Sequence, residues 1–416
     1  MTRPLKIIVI GAGICGLSSA IWLRRAGHEV TLIDRDHPGA GASYGNAGLL
    51  ARWAVVPVNT PDLPKTALKY LLNRKSPLFL QWSAVPQMTP WLWRFLRNAS
   101  ARRLPHMVEG IAQIVTDTVE QHRALTRGTR AADRIAESDF NFVYNSRAEY
   151  EAGAREWGIR AEFDQVPELI EGPAVQEIEP MLAADCGFIA RLRDHGHILD
   201  PGAYMADLAE VLTEEGGWYL QADAQDLVLE GGRVTAVLSA QGALPCDRMV
   251  LAAGIWSKPF MAKLGLKIPM IAERGHHLHF KNPSAMPRDP MMIVKGKFGV
   301  NPMTSGLRCA GTVELGDTSK GPNRAALKII GEHVARVFPA LEYDGVEEWL
   351  GFRPSTPDSV PLIGEIGTTG AYAAFGHQHI GLTAGPKTGR LIAALIDGQP
   401  PNMDLSAYDP SRFQRA

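Results

Sequence analysis

Cysteine is scarce in this chain. Its 416 residues include only Cys15, Cys186, Cys246 and Cys309, with no CxxC pair and no spacing suited to a metal. That excludes a disulfide framework or a zinc ribbon and fits reduced thiols in a cytoplasmic setting. An excess of one charge is missing too. The 43 Lys and Arg balance 44 Asp and Glu, for a formal net charge of −1, so nucleic-acid binding, which usually shows a basic face, gets no support. Long apolar runs are also absent. Residues 7–23 carry no charge, but Gly11, Gly13 and Gly16 interrupt them, which suits neither a membrane span nor a signal peptide. There is no internal repeat, no low-complexity tract and no second GxGxxG. The i, i+2 histidine pairs His195/His197 and His377/His379 lack companion carboxylate or cysteine spacing, so no metal is expected.

What is present begins at residues 6–34. A β-branched run at 7–10 leads into Gly11-Ala12-Gly13-Ile14-Cys15-Gly16, a helix-patterned segment reaches about residue 26, and an apolar strand at 30–33 ends on Asp34. This is a βαβ unit with a dinucleotide fingerprint in its first turn. Gly11 permits the tight turn, Gly13 lets the backbone approach a pyrophosphate, and Gly16 allows close helix–strand packing. The helix start attracts phosphate, and Asp34 suits ribose hydroxyls.

The following segment, residues 37–50, is rich in glycine and small residues instead of continuing into further βα units. Residues 51–105 read as irregular, with seven prolines and with tryptophans at 53, 82, 91 and 93. Residues 106–136 read as one long helix. Strands are expected at 140–144 and 187–190, and Asp200-Pro201 caps a helix to about residue 215. Four strands follow, at 219–222, 226–229, 233–238 and 248–251, with a Gly231-Gly232 turn. Residues 268–313 read as an antiparallel layer, 325–338 as a helix and 385–396 as the final helix. With 416 residues, two or three domains are expected, and the nucleotide-binding sheet is drawn from the N-terminal, central and C-terminal parts of the chain.

The order of motifs resembles the FAD-dependent D-amino-acid-oxidase-type superfamily, most closely bacterial D-amino-acid dehydrogenases and glyphosate-oxidoreductase-like amine oxidases. The likeness is carried by residues 6–35, GASYGNAGLL at 41–50, VLAAGIWS at 250–257, ERGHHLHF at 273–280, GFRPSTPDSVPLIG at 351–364 and AFGHQHIGLTAGPKTGRLIA at 374–393. It implies a mixed α/β fold with a Rossmann-like FAD-binding domain (1–50, 200–267 and 350–416) and a substrate-binding domain with a mostly antiparallel sheet (51–199 and 268–349). It also implies non-covalent FAD, since 45–50 offers no histidine or cysteine for attachment, a small amino-acid substrate, and quinone or oxygen as electron acceptor.

By resemblance, Asp34 and Arg35 hold the adenosine ribose. Ser43, Tyr44, Gly45, Asn46, Ala47 and Gly48 run along the pyrophosphate and flavin. Gln225 lies near adenine, Ala253, Gly254 and Trp256 form a further turn, and Gly376, His377, His379, Gly381, Leu382 and Thr383 face the flavin ring. Arg353, pinned by Pro354 and Pro357 that follow it, is expected to bind the substrate carboxylate, for which a guanidinium is the natural bidentate partner. His276 stands where relatives commonly have tyrosine. It either faces substrate, adding pH dependence near neutrality, or is a strand histidine bonded to backbone. The apolar segment 77–96 either packs under a domain, the preferred reading, or makes peripheral contact with the inner membrane. The expected chemistry is oxidation of an amino acid at Cα–N by hydride transfer to flavin, with a glyphosate-, iminodiacetate- or sarcosine-like secondary amine as the alternative substrate. A pyridine-nucleotide flavin reductase would need a second GxGxxG, and a non-catalytic nucleotide-binding protein is the remote reading.

Overall fold

The computed structural model describes residues 3–64 and 78–414. Residue 77, the first of the apolar segment, lies outside the described residues. The strand Lys6–Ile10 is the centre of a six-stranded sheet. It pairs in parallel with Glu29–Asp34 on one side and with Arg248–Leu251 on the other. Ala371–Phe375 continues the parallel run beyond Arg248–Leu251, Trp218–Gln221 closes the opposite edge, and Leu362–Glu365 joins antiparallel. The β-branched run at 7–10 is explained by its two faces. Ile7 and Val9 pack with the helices Ile14–Arg25, Pro201–Glu214 and Gly381–Ile396, whereas Ile8 and Ile10 pack against the other face. That second face is covered by the helix Lys258–Lys263 and by an antiparallel meander of Ala224–Glu230, Arg233–Ser239 and Gly242–Pro245. Asp200 caps its helix as expected, accepting from the Ala203 N–H at 3.0 Å.

A second, larger sheet is mostly antiparallel. Its order is Gly345–Ser355, Ile271–Lys281, Gly306–Gly316, Phe298–Met303, Met291–Ile293, Ile135–Tyr144, Phe188–Ile198 and Leu49–Leu50. The strand Gly345–Ser355 crosses position 350, where the sequence reading divided the two domains, because it pairs along its whole length with Ile271–Lys281.

The long helix expected at 106–136 is instead two helices, Leu104–Val115 and Thr118–Thr126, followed by a turn and the first residues of a strand. Gly128 ends the helical path in the left-handed region at φ 74°. The final helix starts at Gly381, four residues before the expected position, and runs through Pro386. Proline has no N–H for the Leu382 carbonyl, and the buried His122 supplies the missing donor through Nε2 at 2.9 Å. His122 Nδ1 in turn pairs with the Tyr204 hydroxyl at 2.9 Å.

Within 77–96, the helix Val85–Asn98 turns Met88, Trp91 and Phe95 inward, and the Trp91 indole donates to the Ser355 carbonyl at 2.9 Å. Trp82 and Trp93 stay 72% and 58% exposed. No described helix is long and apolar enough to cross a membrane.

Candidate active site

A cavity of about 1100 Å³ runs from the turn after Lys6–Ile10 to the strand that carries Arg353. That exceeds the usual volume for one small ligand and has room for a dinucleotide with a small substrate. At one end stand the fingerprint residues. A Cβ on Gly11, at φ 106°, would lie 2.6 Å from the Ala252 carbonyl oxygen, and a Cβ on Gly16 would lie 1.7 Å from the Gly11 oxygen. Strand, turn and helix can approach this closely only with glycine at both places. The Ser43 hydroxyl accepts from the Ile14 N–H at 3.0 Å, which puts a hydroxyl beside the open amides of the helix start. Asp34 is anchored by the N–H groups of Ala12, at 2.7 Å, and Asp36, at 3.1 Å. The Arg35 guanidinium lies 4.1 Å over the Trp256 ring, and Gln225, Ala253 and Gly254 complete this end.

Most of the residues expected at the cofactor line this cavity. Three do not. Gly16 packs beneath the turn, the Tyr44 ring lies against Gly202, and Gly48 sits against Asn301 and the Ile198 carbonyl. The loop that holds Tyr44 and Gly48 is tied to the large sheet. Buried Arg308 donates to the carbonyls of Tyr44 (2.8 Å) and Asn46 (2.9 Å), and His277 Nδ1 donates to that of Gly45 at 3.0 Å. His277 stacks on Trp349, with centroids 5.1 Å apart.

At the other end, Arg353 sits near the end of the strand Gly345–Ser355, and its Nη1 donates to Glu273 Oε1 at 2.9 Å. His379 Nε2 reaches the same carboxylate, 2.8 Å from Oε1 and 3.0 Å from Oε2. Glu273 is 3% exposed. Burial alone would push its carboxyl up, but His379 and Arg353 beside it hold it down at about 2, so it is an anion at neutral pH. The guanidinium lies flat on Gly275, where a Cβ would fall 2.3 Å from Nη2. Among the described residues, Arg353 has no other hydrogen-bond partner.

His276 lines the cavity, but its ring nitrogens have partners within the fold. The Asn323 N–H donates to its Nε2 at 3.1 Å, so the ring proton is on Nδ1, which donates to the Thr312 hydroxyl at 3.2 Å. Burial pushes its pKa down to about 4, which removes the titration near neutrality. Both nitrogens are used within the fold. His377 is similarly internal. It contacts the Cys15 thiol at 3.6 Å and the Thr388 hydroxyl at 2.9 Å, with burial lowering its pKa to about 3. Gly381, Leu382 and Thr383 bring the start of the 16-residue final helix to the cavity wall. Two polar residues of this region escaped the sequence reading. Glu273 was visible only as the acid opening ERGHHLHF, and Gln378, held at φ 47° by its bond to the Thr356 carbonyl, carried no signal. No group of three or more His, Cys, Asp or Glu that could hold a metal occurs among the described residues.

The profile of the FAD dependent oxidoreductase (DAO) family matches residues 6–395. The chain belongs to this family. It is 34% identical to a D-amino-acid oxidase of Bradyrhizobium diazoefficiens, over 99% of this chain and all of that one. It is 28% identical to a D-amino acid dehydrogenase of Allorhizobium ampelinum, over 98% and 99% of the two chains. The fold is similar to that of glycine oxidase from Geobacillus kaustophilus, with a TM-score of 0.74 at 19% identity over 99% of both chains. The protein is therefore an oxidoreductase that uses FAD. The residues present fit that group: a glycine turn with no room for a Cβ, open amides beside Ser43, and a cavity continuous from Asp34 to Arg353.

Proposed function

We propose that this oxidoreductase acts on an amino acid at its Cα–N bond, taking the D-enantiomer and releasing an imino acid that water hydrolyses to a 2-oxo acid. The observation that carries this reading is Arg353, seated on Gly275 and fixed through one nitrogen to a buried carboxylate at the end of the FAD-sized cavity. The D-preference rests on the two sequence relatives, named as acting on D-amino acids.

The bound FAD supplies the hydride acceptor. Arg353 pairs with the substrate carboxylate through the part of its guanidinium that Glu273 does not occupy. Glu273 fixes the direction of that fork and also pairs with His379, so neither side chain swings freely. The first turn of Gly381–Ile396 presents its N–H groups and the positive end of its dipole toward the cavity, favouring negative charge that develops there. No side chain need take a proton from Cα, because a neutral amine suffices, and rate enhancement comes mainly from positioning.

The test is anaerobic bleaching of the flavin absorbance with paired D- and L-amino acids. D-substrates should reduce the flavin, and Arg353→Ala should lower kcat/KM by about a hundredfold or more, the loss of a charge-assisted pair. Near-normal kcat/KM in that variant would refute the assignment.

A further inference from the structure

A second arginine reaches the same cavity, and the reaction above makes no use of it. Arg160, on the helix Ala154–Ala161, lines the cavity while being only 7% exposed. Its guanidinium carbon lies 4.9 Å from the ring centroid of Trp157, 5.2 Å from that of Phe142 and 5.8 Å from that of Trp53. The nearest carboxylate is that of Glu156, one turn back on the same helix and half exposed, at 3.9 Å. Arg160 Nε is buried with no hydrogen-bond partner among the described residues. The same holds for Nε1 of Trp53, a neighbour in this aromatic box that also lines the cavity. The other indole of the group is not orphaned, since Trp157 Nε1 donates to the Tyr144 hydroxyl at 3.0 Å.

A guanidinium carries five donors and no acceptor. Taking it out of water is costly, and aromatic faces return only part of that cost. Two buried donors without acceptors in one aromatic box, on residues that line the cavity, therefore point to a ligand that brings the acceptors. The charges around the cavity agree. Among the described residues the acidic side chains that line it are Asp34, Asp36 and Asp223, all at the adenosine end, with Glu273 behind the wall and already paired with Arg353 and His379. The cations Arg160, Lys297 and Arg353 line the remainder.

We infer that Arg160 and the Trp53 indole N–H form a second carboxylate subsite, so that the preferred substrate is an amino acid bearing a distal carboxylate. This rests on the proposed amino-acid oxidation, with the α-carboxylate at Arg353 and the second carboxylate in the aromatic box. Burial also weakens the hold of Arg160 on its proton, an effect that a bound anion reverses.

Two readouts separate this inference from the reaction assignment. Calorimetric titration of the FAD-loaded enzyme with glutarate and valerate requires no turnover. Glutarate should bind at least tenfold more tightly, Arg160→Met should erase that difference while leaving valerate within twofold, and Trp53→Phe, which keeps the ring but loses the N–H, should shrink it severalfold. In anaerobic flavin reduction, D-glutamate should exceed D-norvaline in kcat/KM by tenfold or more, and Arg160→Met should level the two. If Arg160→Met fails to load FAD, Trp53→Phe still decides the matter. Equal binding of glutarate and valerate by the unaltered enzyme, or a preference that survives both substitutions, would overturn the subsite and leave Arg160 as a purely structural cation. If no amino acid bleaches the flavin, the reaction assignment fails, while the glutarate titration still decides the subsite.

Discussion

Gly275→Ala tests the seat of Arg353 without touching a charge. Gly275 pairs in register with Gly351 and, although it lies at an irregularity in the pairing with Gly306–Gly316, its φ is not positive, so alanine meets no left-handed backbone penalty there. The new methyl would fall 2.3 Å from Nη2, 2.4 Å from Cζ and 2.6 Å from Nη1 of Arg353. Ordinary contact begins near 3.4 Å, so the guanidinium must rise by about 1 Å. A misplacement of that size in a positioning group costs about a hundredfold in rate, or about 2.7 kcal/mol. Lifting Arg353 also lengthens its 2.9 Å bond to Glu273. The expected result is a fall of about a hundredfold in kcat/KM, carried largely by KM, with FAD content unchanged because the fingerprint turn is remote. The assay is stopped-flow anaerobic reduction across substrate concentration, with FAD binding followed by fluorescence. A cycle with Arg353→Ala sharpens it, since residues acting through one contact are not additive. In the Arg353→Ala background the second substitution should cost little. A Gly275→Ala enzyme within threefold of the parent kcat/KM would refute the seat.

Glu273→Gln should flatten the acid limb of stability. A carboxyl held at about 2 when folded contributes stability that is present above its ordinary value near 4.5 and lost as pH falls toward 2, so urea midpoints of parent and variant should converge over that window. Arg308→Met removes the donor to two carbonyls of the 44–46 loop and should weaken FAD binding about tenfold, by fluorescence titration, at about 1.4 kcal/mol. Trp91→Phe keeps the buried ring but orphans the Ser355 carbonyl. It should cost about 1–3 kcal/mol in denaturant unfolding and leave kcat/KM unchanged.

Three strands of the parallel sheet were legible because they announce themselves locally, whereas Ala371–Phe375, with no β-branched residue, was not expected. An uninterrupted β-branched run is buried on both faces, and the expected 7–10, 30–33 and 248–251 fall within Lys6–Ile10, Glu29–Asp34 and Arg248–Leu251. The strand that carries Arg353 was not legible. Glu347, Glu348 and Pro354 lie within Gly345–Ser355 and suggest a loop, and only pairing with Ile271–Lys281 makes it a strand. The final helix was placed late because Pro386 reads locally as a start, whereas the donor that lets the helix pass through it comes from His122, 260 residues away. The same limit explains the site. Arg353 could be singled out by residue type and motif, but that its charge leans on Glu273 depends on a strand register no local pattern reveals.

The central position of Lys6–Ile10 has a consequence for synthesis on the ribosome. Its outer neighbours are Arg248–Leu251 and, beyond that, Ala371–Phe375, so the first strand made waits for partners made much later. With Ile10 paired to Leu251, and elongation at about 5–20 residues per second, that wait is roughly 12–50 seconds. During it an apolar strand has one partner, Glu29–Asp34, and one open edge. Unpaired edges of this kind invite association. The nascent chain should therefore be most vulnerable to chaperone capture and aggregation before residue 251 emerges.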